Sequence, residues 1–227
     1  MHLARPTILK LSLIGILTLC TLLSFLAAPE FAYRGGCIYL QHLGTLILMT
    51  PLFLSLRKNS TADSFSLICL SLFTGLHILG GTYLYSYVPY DKWLEELFHF
   101  SVEKTGVHDN KYDRLIHFSF GLLMMPYLAH LCRKFLKGAR TTPALLGAWL
   151  SIQTFSLLYE VFEWLLSVVM SADFADGYNG QQGDMWDAQK DMAWALLGST
   201  ITLVLLWLCQ RRRNRQGGSL NGQRGRT

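Results

Sequence analysis

Charged residues are scarce in this sequence: Asp, Glu, Lys and Arg make up 15% of its 227 residues, against about 25% in an ordinary soluble domain. Apolar residues make up 51% of the chain, and the mean hydropathy is +0.28. The few charges are bunched between long apolar runs, which a water-exposed surface does not tolerate. This composition excludes a soluble enzyme, and also a disordered or fibrous chain. The five cysteines include no Cys-x-x-Cys pair, so no disulfide framework is expected.

Six apolar runs are long enough to cross a membrane, because a helix needs about 20 mostly apolar residues to span the hydrocarbon. We expect spanning helices at residues 8–28, 36–56, 65–85, 115–132, 143–169 and 192–209. Backbone polar groups find no water in lipid, so each run is predicted to be helical. The first run also resembles a signal peptide, but its length favours an uncleaved helix. The sequence therefore predicts an all-α polytopic membrane helix bundle, a single integral membrane domain over residues 1–210.

The basic residues lie mostly on one side of this arrangement. Fourteen of the 20 Lys and Arg residues fall there, joined by one acid, Asp63. The positive-inside rule then places both termini in the cytoplasm and the acidic loops outside. Residues 211–227 are predicted to be a disordered basic tail that anchors the topology near anionic headgroups. We interpret the tail in this way rather than as a nucleic-acid-binding segment, so the bilayer and not nucleic acid is the expected partner.

Two loops on the acidic side are long. Apolar residues spaced by three and four predict an amphipathic interfacial helix at residues 91–103, either a connector or a lid. The second loop, residues 171–184, is rich in Gly, Asp and Asn and is expected to be irregular. It lacks the register of a calcium-binding loop, because Ala175 stands where a ligand is needed.

Ionisable residues also occur at membrane depth, where each costs several kcal/mol unless it is paired or hydrated. They are predicted to lie at a similar depth, and at about 1.5 Å of rise per residue Glu160 and His117 are each roughly 5–14 Å below the acidic surface. The set consists of His42, His77, Asp113, His117, Glu160, Glu163, Asp184, Asp187 and Asp191.

Carboxylates and imidazoles at one depth suit a divalent metal ion such as Zn, Mn or Fe. Without metal, neighbouring carboxylates can share protons and serve acid–base chemistry. We predict a catalytic set of Glu160, Glu163 and His117. The substrate-contacting or supporting residues are predicted to be His77, Asp113, Asp184, Asp187 and Asp191. If a metal ion is bound, the predicted ligands are His117, Glu160, Glu163 and Asp191. The structural alternative is that the acids cap helices and that His77 only joins two helices.

Four motifs carry a resemblance to a known family. They are HILGGTYLY at 77–85, YDRLIHF at 112–118, YEVFEW at 159–164 and GQQGDMWDAQKDM at 180–192. They resemble the YjdF-like family of bacterial inner-membrane proteins over about residues 70–205. The resemblance implies a place in the bacterial inner membrane and no particular chemistry.

A fainter resemblance links the chain to VanZ-like membrane proteins, which are associated with glycopeptide resistance. Their D-[KR]-x-x-H-F motif is matched by Asp113, Arg114, His117 and Phe118. The chain departs from their E-x-x-Q at Glu163, and from their D-x-x-x-N-x-x-G at Ala195.

Three classes of function fit these residues. We place first an outward-facing site that binds or acts on a lipid or lipid-linked envelope substrate. A structural or regulatory envelope protein comes second. Proton-coupled transport comes last, because the cytoplasmic halves of the last three predicted spans carry no acid. The sequence makes no prediction of the substrate or the oligomeric state.

Overall fold

The computed structural model describes residues 5–57, 60–102, 111–136, 141–179 and 184–224, and within these ranges it contains helices and no strands. A 3₁₀ helix, Glu30–Gly36, joins the first two α-helices. The α-helices are α1 (Arg5–Ala27), α2 (Cys37–Ser55), α3 (Ser64–Thr82), α4 (Tyr90–Phe98), α5 (Tyr112–Phe135), α6 (Thr141–Val169), α7 (Ala172–Asn179) and α8 (Asp187–Arg224). The prediction of an all-α membrane bundle is confirmed.

Six of these helices are long and apolar enough to cross a membrane, and each contains most of one predicted run. The spans are Pro6–Ala27, Cys37–Ser55, Ser64–Thr82, Tyr112–Phe135, Thr141–Val169 and Asp187–Asn214. The third span ends at Thr82 rather than at residue 85, because Leu84 and Tyr85 have positive φ angles of 49° and 56° and cannot continue a helix.

Three other boundaries differ from the sequence prediction. The interfacial helix α4 ends at Phe98, where His99 adopts a left-handed conformation, and residue 103 lies outside the described residues. Helix α7 occupies part of the expected irregular loop, whose residues 180–183 are not described. Helix α8 continues to Arg224, through part of the tail for which the sequence predicts disorder.

Helix α5 is the centre of the bundle and packs against α3, α6 and α8, while α1 and α2 cover α3 on the other side. The helices alternate in direction. Where α1 begins, Lys10 Nζ donates to the Ser55 carbonyl at the end of α2, 2.7 Å away. We call this the basic end of the bundle. The opposite end, where α3 and α6 finish and α5 and α8 start, is the acidic end.

A chain of hydroxyl groups joins α1, α2 and α3 near the acidic end. The Thr82 hydroxyl donates to the Ile78 carbonyl at 2.8 Å, so the Ser24 hydroxyl must donate to Thr82 at 2.7 Å. Ser24 then accepts from His42 Nε2 at 2.8 Å. Each buried group is satisfied within this chain, so His42 is explained as part of the fold.

Two glycine residues allow the backbones of α5 and α8 to pack closely against each other. A Cβ atom on Gly121 would overlap the Ala195 carbonyl and lie 2.6 Å from Ser199 N. A Cβ atom on Gly198 would overlap the Phe118 carbonyl and lie 3.0 Å from Leu122 N. Small residues permit such approach between membrane helices, where close van der Waals packing drives association. This contact sets the distance between the polar residues at the starts of the two helices.

Candidate functional site

His117 is the centre of a buried polar cluster at the acidic end. Its Nε2 atom lies 3.5 Å from Glu160 Oε1 and 3.8 Å from Asp113 Oδ1. Asp191 completes the group: one ligand atom from each of Asp113, His117 and Asp191 lies within 4.8 Å of the others. Three helices therefore bring one imidazole and three carboxylates together.

The helical positions of these residues account for their meeting. Asp113 and His117 are four residues apart and share one face of α5. Glu160 reaches them from α6, and Asp191 lies in the second turn of α8. The glycine contact between α5 and α8 brings this turn close to His117. The sequence prediction that these residues lie at one depth therefore corresponds to a physical cluster.

Two oxygen atoms in the cluster lack partners. Glu160 Oε1 and Asp191 Oδ1 are inaccessible to solvent and have no hydrogen-bond partner among the described residues. An unsatisfied buried acceptor costs about 1–3 kcal/mol, and more when it is charged. A protein retains such groups where a ligand, a cation or a proton satisfies them.

Glu163 lies one helical turn beyond Glu160, towards the acidic end, and is also buried. Tyr159 on α6 and Tyr178 on α7 lie within electrostatic range of its carboxyl group. Asn179 Nδ2 donates to the Glu163 backbone carbonyl at 2.9 Å. These contacts place Glu163 at the junction of α6 and α7, within electrostatic range of Asp113 and Glu160.

Asp184 and Asp187 pair with Arg114 beside this cluster. The guanidinium lies 2.5 Å from Asp184 Oδ2 and 3.6 Å from Asp187 Oδ1. Hydrogen bonds from Lys190 and from the Trp186 amide hold the pKa of Asp184 at about 2, below its usual range. Asp184 is therefore ionised and paired at neutral pH, and its predicted role as a substrate contact stays a prediction.

His77 lies apart from His117, across a cavity that both residues line. His77 Nε2 is 3.1 Å from the Gln41 carbonyl, which can only accept, so Nε2 carries the proton in the neutral ring. Nδ1 then accepts a hydrogen bond from the Tyr85 hydroxyl. Burial raises the pKa of Tyr85 well above its usual range, so this hydroxyl stays protonated and can serve as a donor.

The strained turn after α3 explains the position of Tyr85. Positive φ angles at Leu84 and Tyr85 cost of order 1 kcal/mol each and fold the chain back over α3. The Tyr85 ring then lies against Gly80, where a Cβ atom would be 2.7 Å from the ring. Gly80 is therefore required for the contact between Tyr85 and His77.

A cavity of about 530 Å³ extends from this polar region towards the basic end. Its apolar walls come from α2, α3, α5 and α6 and reach Pro51 and Leu131. Polar groups line it at the acidic end, namely His77, Tyr85, Asp113, His117, Ser156 and Tyr159. The volume lies within the range of about 300–1,000 Å³ that is typical of ligand pockets.

The cavity opens sideways between α2 and α6. Helix α2 packs on α1 and α3, and α6 packs on α5 and α8, while short α7 touches both α2 and α6 at the acidic end. Three residues both line the cavity and expose half or more of their surface: Ile47 at 66%, Phe155 at 51% and Leu158 at 55%. These residues form the mouth, and in a bilayer they face lipid chains.

Sequence reasoning missed the cavity and three of the polar groups named above, Tyr85, Ser156 and Tyr159. Tyr85 and Tyr159 occur among aromatic residues near the predicted membrane boundary, where an interfacial belt is the ordinary explanation. The structure instead places both on the cavity wall. The glycine five residues before Tyr85 is a signal that could have indicated an inward turn.

Comparison with known proteins supports the resemblance drawn from the four motifs. The model of a family described as predicted membrane proteins, DUF2238, matches residues 9–212. The inner membrane protein YjdF of Escherichia coli (strain K12) is 28% identical over 221 residues, which cover 96% of this chain and 98% of that protein. No solved structure matches the chain. The resemblance to VanZ-like proteins stays a prediction. The match over most of the chain shows that it belongs to the DUF2238 family of predicted membrane proteins.

Proposed function

We propose that this protein binds a lipid or lipid-linked molecule, with one hydrocarbon tail in the cavity and the polar head beside His117. The observation that carries the proposal is one cavity with an apolar body, a polar end and a mouth on the lipid-facing surface. The apolar part of the cavity offers a fully polar, water-soluble metabolite no favourable contact. A molecule with an apolar tail and a polar head fits both parts of the cavity.

The polar head supplies most of the selectivity in this proposal. A tail that leaves the bilayer for an apolar cavity gains little, because lipid is as apolar as the cavity wall. Asp113 and His117 line the cavity. Glu160 does not line it, and its Oε1 atom lies 3.5 Å from His117 Nε2. A headgroup at this point can contact His117 and Asp113 directly.

We further propose that the acidic end faces away from the cytoplasm, as the Lys and Arg distribution predicts. Reporter fusions after Arg57 and Arg213 should then give cytoplasmic signals, and fusions at Val102 and Asp184 external ones. The reversed pattern would contradict the orientation, although it would leave the cavity intact.

Photo-labelling tests the lipid site directly. We expect phosphatidylethanolamine with a diazirine on its acyl chain, reconstituted with the full protein, to label peptides that carry Ile47, Phe155 and Leu158. Leu128→Trp should reduce this labelling severalfold, because Leu128 lines the cavity and an indole would take up part of the space that the acyl chain needs. Leu150→Trp is the matched control: Leu150 lies on the exposed face of α6 and does not line the cavity.

The alternative is a structural envelope protein whose polar cluster only holds the bundle together. That function predicts labelling spread evenly over the lipid-facing helices and the same pattern in both tryptophan variants. Either result would contradict the lipid site.

A further inference from the structure

The buried cluster brings together more carboxyl groups than the described basic side chains pair with. Asp113, Glu160 and Asp191 surround one imidazole, while the neighbouring Arg114 is engaged by Asp184 and Asp187. Two of the carboxylate oxygens are buried without a hydrogen-bond partner in the described part of the chain. Their residues are 7% and 2% exposed, for Glu160 and Asp191 respectively.

We propose that Asp113, His117 and Asp191 bind a divalent metal ion, with Glu160 as the fourth protein ligand. The ligand atoms of the first three lie within 4.8 Å of one another. An ion that bonds three ligands at about 2.1 Å holds them about 3.4–3.6 Å apart, so each ligand atom has to move by up to about 0.7 Å to close the set. Glu160 Oε1, 3.5 Å from His117 Nε2, lies at a normal separation for two ligands of one ion.

The donor set indicates the class of metal. One imidazole and three carboxylates suit Zn²⁺ or Mn²⁺. Ca²⁺ prefers an all-oxygen site, and Mg²⁺ keeps most of its water and is seldom held by a protein cage. The proposed metal set differs from the one expected from the sequence: Asp113 takes the place of Glu163, because Asp113 and not Glu163 belongs to the group of ligand atoms that lie within 4.8 Å of one another.

An ion bound at this site would lie beside the cavity. Asp113 and His117 line the cavity, whereas Asp191 and Glu160 lie behind them, so one side of the ion faces the cavity. On the proposed lipid function, an oxygen of the headgroup can occupy that side and be polarised by the ion. Metal binding itself does not require the lipid, and it can be measured separately.

The test uses the full protein, purified in detergent without a histidine tag and treated with chelator. We expect about one equivalent of Zn²⁺ or Mn²⁺ to bind after it is added back. At a hundredfold excess over the dissociation constant, the melting temperature should rise by about 5–10 °C. Co²⁺ should give visible absorption bands that report the ligands independently of stability.

Three variants locate the site. Asp191→Asn and Asp113→Asn keep side-chain shape but remove a charged ligand, and each should weaken binding more than about tenfold. Asp63→Asn, the same change at the start of α3 at the basic end, should bind metal like the wild type. If one cluster variant fails to fold, the other still decides the question.

The outcomes separate this inference from the proposed function. Absence of bound metal and of any thermal shift in the wild type would overturn the metal site, as would unchanged binding in the two cluster variants. Lipid labelling that persists in either case would leave the lipid site standing. Normal metal binding with evenly spread labelling would overturn the lipid site and leave the metal.

Discussion

Gly198→Leu should leave little folded protein, because an isobutyl group at this position has no room between α5 and α8. Even the first carbon of the side chain would overlap the Phe118 carbonyl, which is backbone and cannot rotate away. Gly198→Ala and Gly121→Ala should each lower the free energy of unfolding by about 1–3 kcal/mol, the usual cost of overpacking. Thermal unfolding in detergent and the yield of monodisperse protein measure the effect.

Gly75 provides the matched control for this prediction. It lies within α3, and a Cβ atom there would meet nothing within 4 Å. Gly75→Ala should therefore stabilise the protein by up to about 1 kcal/mol through helix propensity alone. If all three alanine variants had the same effect, the close contact of α5 and α8 would not be the cause.

Glu160→Gln should abolish function and at the same time stabilise the metal-free fold. The amide keeps the shape of the side chain, removes one of several crowded carboxyl groups, and can donate to a neighbouring carboxylate. Residues that are retained for function at a cost to stability often yield gains of about 0.5–2 kcal/mol when replaced. Complementation of a deletion strain and thermal unfolding of the purified variant test the two halves of the prediction.

A structural role for Glu160 predicts the opposite combination: activity retained and stability lowered. Glu96→Gln is the control, because Glu96 forms only an exposed pair with Lys92 at 3.9 Å and such pairs contribute about 0–1 kcal/mol. It should change neither quantity. Full complementation by Glu160→Gln would remove this residue from the site.

The sequence predicts the fold well because the bilayer leaves the chain few choices. About 20 apolar residues in lipid must form a helix, and the helix ends follow from the charges that flank the run. The exceptions depend on tertiary contact. The end of α3 depends on Tyr85 packing over Gly80, and the formation of α7 accompanies a ring contact of Tyr178 and a hydrogen bond of Asn179 with α6.

The candidate site is predictable in part, for a related reason. A charged residue at membrane depth is costly, so His117, Glu160 and Asp191 stand out in the sequence without any alignment. Which of the acids meet His117 depends on helix rotation and separation, and no sequence period gives these. The apolar cavity could not be predicted, because nothing in the sequence distinguishes an apolar residue that faces lipid from one, such as Leu128 or Phe155, that lines a cavity.

The tight contact between α5 and α8 also bears on how the protein is made. Chains enter the membrane helix by helix, and helices associate after insertion. Asp191 lies on α8, which follows α5 and α6 in the chain, so a growing chain holds Asp113, His117 and Glu160 in the bilayer before Asp191 has been synthesised. The polar centre is thus incomplete until α8 has been made. A chain that stops before α8 would contain Asp113 and Glu160 within the membrane without Asp191. The cell's degradation machinery could recognise such a chain by these exposed acids.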